Sequence, residues 1–167
     1  MIKKASVDDL SILDRVSSHS LFQREDDYWR RSLVLQDKGD RDVYLCYVGD
    51  EEAVGFVIYN RKPRYTPFMR MDIPEIQDLF VVPDYRGHGY AKYMIGHCEE
   101  LARSEGKDTI GIGVGMHAGY GAAQNLYVRL GYVPDGQGVT YSRETVPVNS
   151  STFNDDELSL MLIKDLG

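Results

Sequence analysis

The chain has 167 residues, 43% of them hydrophobic, a length that suits one domain with a substantial core. Its 26 acidic and 19 basic residues give a formal charge of −7 at pH 7, which argues against nonspecific binding to nucleic acid. No apolar run approaches the length that crosses a bilayer, and the first residues, Met-Ile-Lys-Lys-Ala, lack an apolar secretory segment. We therefore expect a single domain over residues 1–167 that is cytoplasmic and binds neither nucleic acid nor a membrane.

The first half of the chain is predicted to form a strand, two helices, a hairpin and a further strand. The first helix is recognised by Leu10, Leu13 and Val16, which recur with helical spacing. Gly49-Asp50 marks the turn of the hairpin. In chain order these elements cover residues 2–6, 8–18, 26–36, 43–48, 53–60 and 75–82.

The second half is predicted to alternate helices and strands. Its strongest pattern is an apolar stripe at helical spacing, formed by Ala91, Met94, Ile95, Cys98, Leu101 and Ala102. Gly106 is placed to end this helix. Strands are predicted at 109–114 and 158–163, a helix at 122–130, a strand of only two residues at 132–133 before Pro134, and a polar loop at 147–156.

The cysteines and histidines give no sign of a metal site. Cys46 lies in a predicted strand and Cys98 on the apolar stripe, so we expect both to be reduced core residues. The four histidines show no metal-ligand spacing; they are His19, His88, His97 and His117. We therefore expect no metal cofactor.

Residues 79–91 carry the clearest functional signal. A β-branched and aromatic run at 79–82 predicts a strand, which Pro83 should end because proline cannot donate to a central ladder. Arg86-Gly87-His88-Gly89 then allows a tight turn into the next helix. The free amide groups and the dipole of a helix N-terminus favour anions. The segment predicts a binding site for a phosphorylated cofactor.

A dinucleotide-binding motif is considered and set aside. The segment 113–118 fits G-x-G-x-x-A after a predicted strand, and Asp135 lies near the spacing expected for a ribose contact. However, the 32 residues that remain after Asp135 cannot complete a Rossmann sheet. In the earlier turn, Lys92 stands where the third glycine of a G-x-G-x-x-G should be, and no P-loop pattern occurs.

Two segments together resemble a known enzyme family. Arg86-Gly87-His88-Gly89-Tyr90-Ala91 fits R-x-x-G-x-A, and residues 123–132, Ala-Gln-Asn-Leu-Tyr-Val-Arg-Leu-Gly-Tyr, fit A-x-x-L-Y-x-x-L-G-[FY]. In this order and spacing they resemble the cofactor motifs of the GNAT superfamily, the Gcn5-related N-acetyltransferases. The resemblance covers roughly residues 2 to 164.

This resemblance implies an α/β fold and an activity. The fold would be a central mixed, mostly antiparallel sheet of about seven strands, flanked by about four helices and splayed between strands 4 and 5. The activity would be N-acetyl transfer, with acetyl-CoA as co-substrate and the acetyl group moved directly to a primary amine.

The resemblance also assigns cofactor-binding residues. The pyrophosphate would bind the amides of the turn, with Arg86 adding charge, and the pantetheine arm would dock along the main chain of the fourth strand. Asn125 matches a position whose side chain often reaches the cofactor, although a polar residue at a helix start explains it nearly as well. The full set is Phe80, Val81, Val82, Arg86, Gly87, His88, Gly89, Tyr90, Ala91 and Asn125.

Three residues are candidates for proton transfer. Tyr127 matches the tyrosine that protonates the leaving thiolate in many GNAT enzymes, and its alternative role is core packing. The attacking amine must be neutral, and Glu75 or Asp78 on the fourth strand would serve as the base. In a regular strand these two acids point to opposite faces, unless a bulge intervenes. Glu75 ranks slightly ahead, because it matches the glutamate of histone-type members.

The acceptor is not identified by any motif. We expect a small-molecule amine; the alternatives are a protein lysine or N-terminus, or a non-catalytic acyl-CoA-binding module. We expect the chain to act as a monomer or homodimer. The acceptor would be shaped by loops at 18–27, 61–72 and 135–156, of which the second contains Arg61, Lys62, Arg64 and Arg70, with Tyr65 and Phe68 among them.

Overall fold

The computed structural model describes residues 1–20 and 24–167, and these form two compact units. The N-terminal unit comprises Met1–Arg61 and Ile76–Glu100, and the C-terminal unit comprises Lys62–Glu75 and Leu101–Gly167. Within the described ranges, no helix is both long enough and apolar enough to cross a membrane.

The N-terminal unit is built on four strands in the order β1-β2-β3-β4. Their bounds are Ile2–Lys4, Arg41–Val48, Glu52–Asn60 and Glu75–Val81, and the helices are α1 (Leu10–Ser17), α2 (Tyr28–Asp37) and α4 (Tyr90–Ser104). Glu75, the first residue of β4, and residues 101–104, the end of α4, belong to the C-terminal unit. The predicted hairpin is confirmed, since β2 and β3 pair antiparallel with Val48 opposite Glu52. Leu13 of α1 and Trp29 of α2 pack in one buried cluster with Phe56 of β3.

The C-terminal unit holds the remaining strands in the order β5-β8-β6-β7, each pair antiparallel. Its strands are β5 (Thr109–Gly115), β6 (Val133–Tyr141), β7 (Glu144–Thr145) and β8 (Leu158–Asp165), and its helices are α3 (Thr66–Arg70) and α5 (Gly121–Arg129). Tyr65, Phe68, Ile73 and Met161 form a buried cluster there.

Three glycines of β5 explain the dinucleotide-like motif. Gly111, Gly113 and Gly115 alternate along the strand and therefore share one face. Each glycine leaves space for the side chain of one other residue. A Cβ atom built on the glycine would lie 3.0 Å or less from an atom of that side chain. These side chains are Phe68 over Gly111, Arg143 over Gly113 and Tyr120 over Gly115. The motif is thus a packing feature of this unit.

The mixed α/β fold class is confirmed, with corrections in the C-terminal unit. The described residues form eight strands and five α-helices, against about seven and four expected. The two-residue strand expected before Pro134 is wrong, because β6 runs through Pro134 to Tyr141, inside the stretch expected to be a loop. Its pairing with β8 shifts register between Pro134 and Val139, and Gly136 and Gly138 in this stretch have positive φ. The sequence of β6 therefore lacks the regular alternation of apolar and polar residues that predicts a strand. The splay between the fourth and fifth strands stays a prediction.

Candidate active site

The turn before α4 has the backbone of an anion-binding loop. Gly87 and Gly89 have φ of +79° and +88°, a conformation that glycine adopts without strain. The amide of Tyr93, which donates to the Gly89 carbonyl at 2.9 Å, is the first in this segment to be bonded. None of the six amides from Gly87 to Lys92 donates to an acceptor within residues 1–20 and 24–167.

These six donors fit a pyrophosphate. A Cβ atom added at Gly87 or Gly89 would meet no protein atom within 4 Å, so the space in front of the loop is open to a ligand. The helix dipole adds partial positive charge at the same place. The loop therefore has the donors, charge and access that a phosphorylated cofactor needs.

Two side chains of the loop hold its shape. Nε of Arg86 donates to the Val81 carbonyl at 3.1 Å, and its guanidinium lies 5.7 Å from the centre of the Phe80 ring. Nδ1 of His88 lies 2.9 Å from the Arg86 carbonyl, so this nitrogen carries the hydrogen and donates. No sequence pattern predicts this hydrogen bond of the His88 side chain.

The main chain at the end of β4 is partly hydrogen-bonded to β3. The Val82 amide donates to the Val54 carbonyl at 2.8 Å. Gly55 allows a close approach to the Phe80 carbonyl, since a Cβ there would lie 2.4 Å from that oxygen. The Val82 N–H is thereby occupied, and the Val81 carbonyl is held by Arg86.

Asp78 sits at an irregular point of β4. Its φ is +50°, so the regular alternation that would send Glu75 and Asp78 to opposite faces does not apply. Its side chain is 26% exposed, Tyr28 donates its hydroxyl hydrogen to Oδ2, and Nη2 of Arg24 lies 3.6 Å from Oδ1. Arg24 falls in the loop expected to shape the acceptor site, but no motif singled it out.

Glu75 is fully buried and bound to an arginine. Its side chain has 0% exposure, and Nη1 of Arg143 donates to its Oε1. Arg143 reaches it from the turn between β6 and β7, where Ser142 and Arg143 have φ of +49° and +70°. Two consecutive positive φ values are typical of a tight hairpin turn and strain residues other than glycine. The pair joins residues 68 apart in sequence, so periodicity could not find it.

This ion pair is expected to stabilise the protein measurably. Glu75→Gln should lower the free energy of unfolding by about 1–3 kcal/mol, because it leaves the Arg143 guanidinium without its carboxylate. Asp72→Asn is the matched control: Asp72 forms an ion pair with Lys107 but is 77% exposed, so its replacement should lower the free energy of unfolding clearly less. Urea denaturation measures both, and equal losses would contradict the assigned importance of the buried pair.

Tyr127 combines deep burial with an uncommitted hydroxyl. It lies on α5 with 6% exposure, and burial raises the pKa of its phenol well above the usual value. Its hydroxyl has no hydrogen-bond partner in the part of the chain that the structure describes. Asn125, two residues earlier, is exposed. Gln124, which sequence analysis did not single out, donates from Nε2 to the Gly115 carbonyl at 2.8 Å.

The segment expected to be a basic loop has a different structure. It contains α3, and Tyr65 and Phe68 are buried core residues with about 1% exposure. Nη2 of Arg61 lies 2.6 Å from Oδ2 of the buried Asp42. The aromatic residues between the basic ones therefore serve packing, because the cluster that they join lies inside the C-terminal unit.

The predicted site residues are divided between the two units. The N-terminal unit brings together Asp78, the end of β4 and the anion-binding loop, whereas the C-terminal unit contains Glu75, Asn125 and Tyr127. A strand that leads through a glycine turn into a helix, with six amides that have no acceptor among the described residues, is an arrangement that binds phosphorylated ligands.

Comparisons with known proteins identify the family. Residues 8–132 match the model of the acetyltransferase (GNAT) family, so this chain belongs to that family and is an acyltransferase of the EC 2.3.1 type. An uncharacterized N-acetyltransferase of Archaeoglobus fulgidus is 29% identical over 120 residues, which are 68% of this chain and 81% of the relative. The family implies an acyl-CoA co-substrate.

Solved structures agree on the fold. An N-acetyltransferase from Staphylococcus aureus Mu50 superposes with a TM-score of 0.70 at 16% identity, covering 100% of this chain and 98% of the other. The ribosomal-protein-S18-alanine N-acetyltransferase from Escherichia coli gives a TM-score of 0.71 at 14% identity, covering 99% and 93%. At these identities the likeness concerns the fold alone.

Proposed function

We propose that this protein transfers an acetyl group from acetyl-CoA directly to a primary amine of a small, cationic molecule. The observation that carries the proposal is the row of six amides from Gly87 to Lys92 without an acceptor in the described chain. The formal charge of −7 favours a cationic acceptor over an anionic one.

The loop and the end of β4 would hold the cofactor. The six amides bind the pyrophosphate, and the exposed Arg86 adds positive charge beside it. Of the three residues expected to hold the pantetheine arm, Val82 is the weakest candidate for donating its amide, because that amide already donates to Val54. The Val81 carbonyl is likewise occupied, by Arg86. Acetyl-CoA supplies the activated acyl group as a thioester.

Tyr127 would act as the general acid. Burial raises the pKa of its phenol, so the hydroxyl keeps its proton at every pH of an ordinary assay. With no other partner in the described chain, that hydroxyl is available to the thiolate that leaves when the amine attacks.

Asp78 is the stronger candidate for the base. An acid that takes a proton from the acceptor, directly or through water, needs access to it. Asp78 is partly exposed, whereas Glu75 is fully buried and bound to Arg143. We therefore place Asp78 ahead of Glu75, which reverses the order favoured by the family resemblance.

The pH dependence of kcat/KM tests this assignment. Asp78→Asn should slow the reaction and flatten the acid limb of the profile, because the amide cannot take up a proton. Glu75→Gln is the matched control: it should lower stability but leave the acid limb in place, as its carboxylate is bound to Arg143. If the limb disappears in Glu75→Gln and persists in Asp78→Asn, the assignment is wrong.

Mass spectrometry of an amine panel incubated with acetyl-CoA tests the activity itself. The panel should contain diamines, monoamines, amino acids, and peptides with a free lysine or N-terminus. Acetylation of small cationic amines ahead of the peptides is the expected result. Preferred acetylation of peptides would support a protein acetyltransferase, and binding of acetyl-CoA without any product would support a non-catalytic module.

A further inference from the structure

The side chain of Arg24 occupies an aromatic cage closed by a carboxylate. Its guanidinium carbon lies 4.9 Å from the centre of the Phe56 ring, 5.4 Å from Trp29 and 5.5 Å from Tyr28. Nη2 lies 3.6 Å from Oδ1 of Asp78, and the arginine side chain is only 9% exposed. We call these four partners, Tyr28, Trp29, Phe56 and Asp78, the cation cage.

The walls of the cation cage are held by contacts that do not involve Arg24. Trp29 donates from Nε1 to Oγ of Ser17 at 2.7 Å, and its ring packs edge-to-face on Phe56 with centres 4.8 Å apart. Tyr28 packs edge-to-face on Trp29 at 5.1 Å and donates its hydroxyl hydrogen to Asp78. The cage is therefore preformed for whichever cation occupies it.

Aromatic faces beside a carboxylate are the chemistry that recognises organic cations. The rings attract positive charge through their quadrupoles, and the attraction grows when the cation is desolvated. Burial also disfavours a charged guanidinium, and it lowers the pKa of Arg24 despite the opposing effect of Asp78. Because burial of the charged Arg24 guanidinium has a free-energy cost, this side chain is suited to exchange with another cation.

We propose that the cation cage is the recognition site for the positively charged group of the acceptor, and that Arg24 fills it until an alkylammonium or guanidinium group of the substrate takes its place. This inference rests on the proposed function and names its substrate class. It places the bound cation next to Asp78, the candidate base. Arg24 then acts as an internal competitor that weakens the binding of cations.

Fluorescence of Trp29, the only tryptophan of the chain, reports directly on the cage. The full-length protein is titrated with ethylguanidinium, and with its neutral counterpart ethylurea, without acetyl-CoA. In Arg24→Ala the cage is vacant, so ethylguanidinium should give a saturable change at a concentration at least tenfold lower than in the wild type. Ethylurea should give no saturable change.

Further variants make the test specific. Asp78→Asn combined with Arg24→Ala should weaken ethylguanidinium binding at least tenfold, since the carboxylate is lost. Arg24→Gln is titrated in parallel and should behave like Arg24→Ala, which keeps the test informative if one variant folds poorly. Equal responses to both probes, full affinity without the carboxylate, or no saturable response in either folded single variant would overturn the proposal.

These titrations do not depend on acetyl transfer. Binding of ethylguanidinium without any product in the amine panel would leave the cage intact and contradict the proposed function. Acetylation of small amines by a protein whose cation cage binds no ethylguanidinium would support the proposed function and contradict the role proposed for the cage.

Discussion

Replacing Gly89 with valine is expected to abolish the rise in melting temperature that acetyl-CoA should produce in the wild-type protein. A ligand at 100 times its Kd stabilises the native state by about 2.7 kcal/mol. For a chain of this size, that corresponds to about 5–10 °C. Gly89 has φ of +88°, and a β-branched side chain there would both strain the turn and fill the space before the six amides. Differential scanning fluorimetry with and without acetyl-CoA measures the effect.

Gly39→Val is the matched control for this variant. Gly39 also has a positive φ, +77°, with no atom within 4 Å of an added Cβ, and it lies between α2 and β2, outside the segment 87–92. Both variants should lose about 1–2 kcal/mol of stability from left-handed backbone. Only Gly89→Val should lose the response to acetyl-CoA. A full response in Gly89→Val would contradict the role assigned to the loop.

Replacing Tyr127 with phenylalanine is expected to lower kcat by about 10- to 1,000-fold while largely sparing the affinity for acetyl-CoA. The change removes the hydroxyl that we propose as proton donor in the transition state and keeps the packed ring. Because burial raises the pKa of this phenol, its ionisation should cause no loss of activity below about pH 10. Steady-state kinetics with an acceptor from the amine panel, together with acetyl-CoA titration, separates kcat from binding.

Tyr132→Phe provides the comparison for Tyr127→Phe. Tyr132 is buried nearby, with ring centres 6.2 Å apart, so its variant removes a similar hydroxyl from the same neighbourhood. It should keep kcat within about twofold of the wild type, even if its stability falls. Equal losses of kcat in both variants would make packing, not proton donation, the role of Tyr127.

Local patterns predicted the parts of the site that depend on neighbouring residues. The turn at Gly87 and Gly89 and the apolar stripe of α4 are set by conformational preference and helical spacing, and the structure has both. The β2–β3 hairpin follows for the same reason, from the glycine turn between two β-branched runs.

Features that depend on contacts between residues far apart in sequence could not be predicted from such local patterns. The continuation of β6 beyond Val133 was missed because Pro134 and two glycines with positive φ interrupt its alternation. The burial of Glu75 beside Arg143 requires a contact across 68 residues of sequence. The residues of the cation cage likewise come from α2, β3 and β4, and no residue spacing along the sequence predicts that they meet.

The most direct test of the account is which nucleotide-containing ligand stabilises the native protein. Melting temperatures are measured with CoA, acetyl-CoA, NAD and ATP at equal concentrations. CoA and acetyl-CoA are expected to raise the melting temperature by several degrees, and NAD and ATP to have little effect, because we propose that the loop at Gly87–Lys92 binds an acyl-CoA pyrophosphate. Stabilisation by NAD or ATP, with none by CoA or acetyl-CoA, would contradict it.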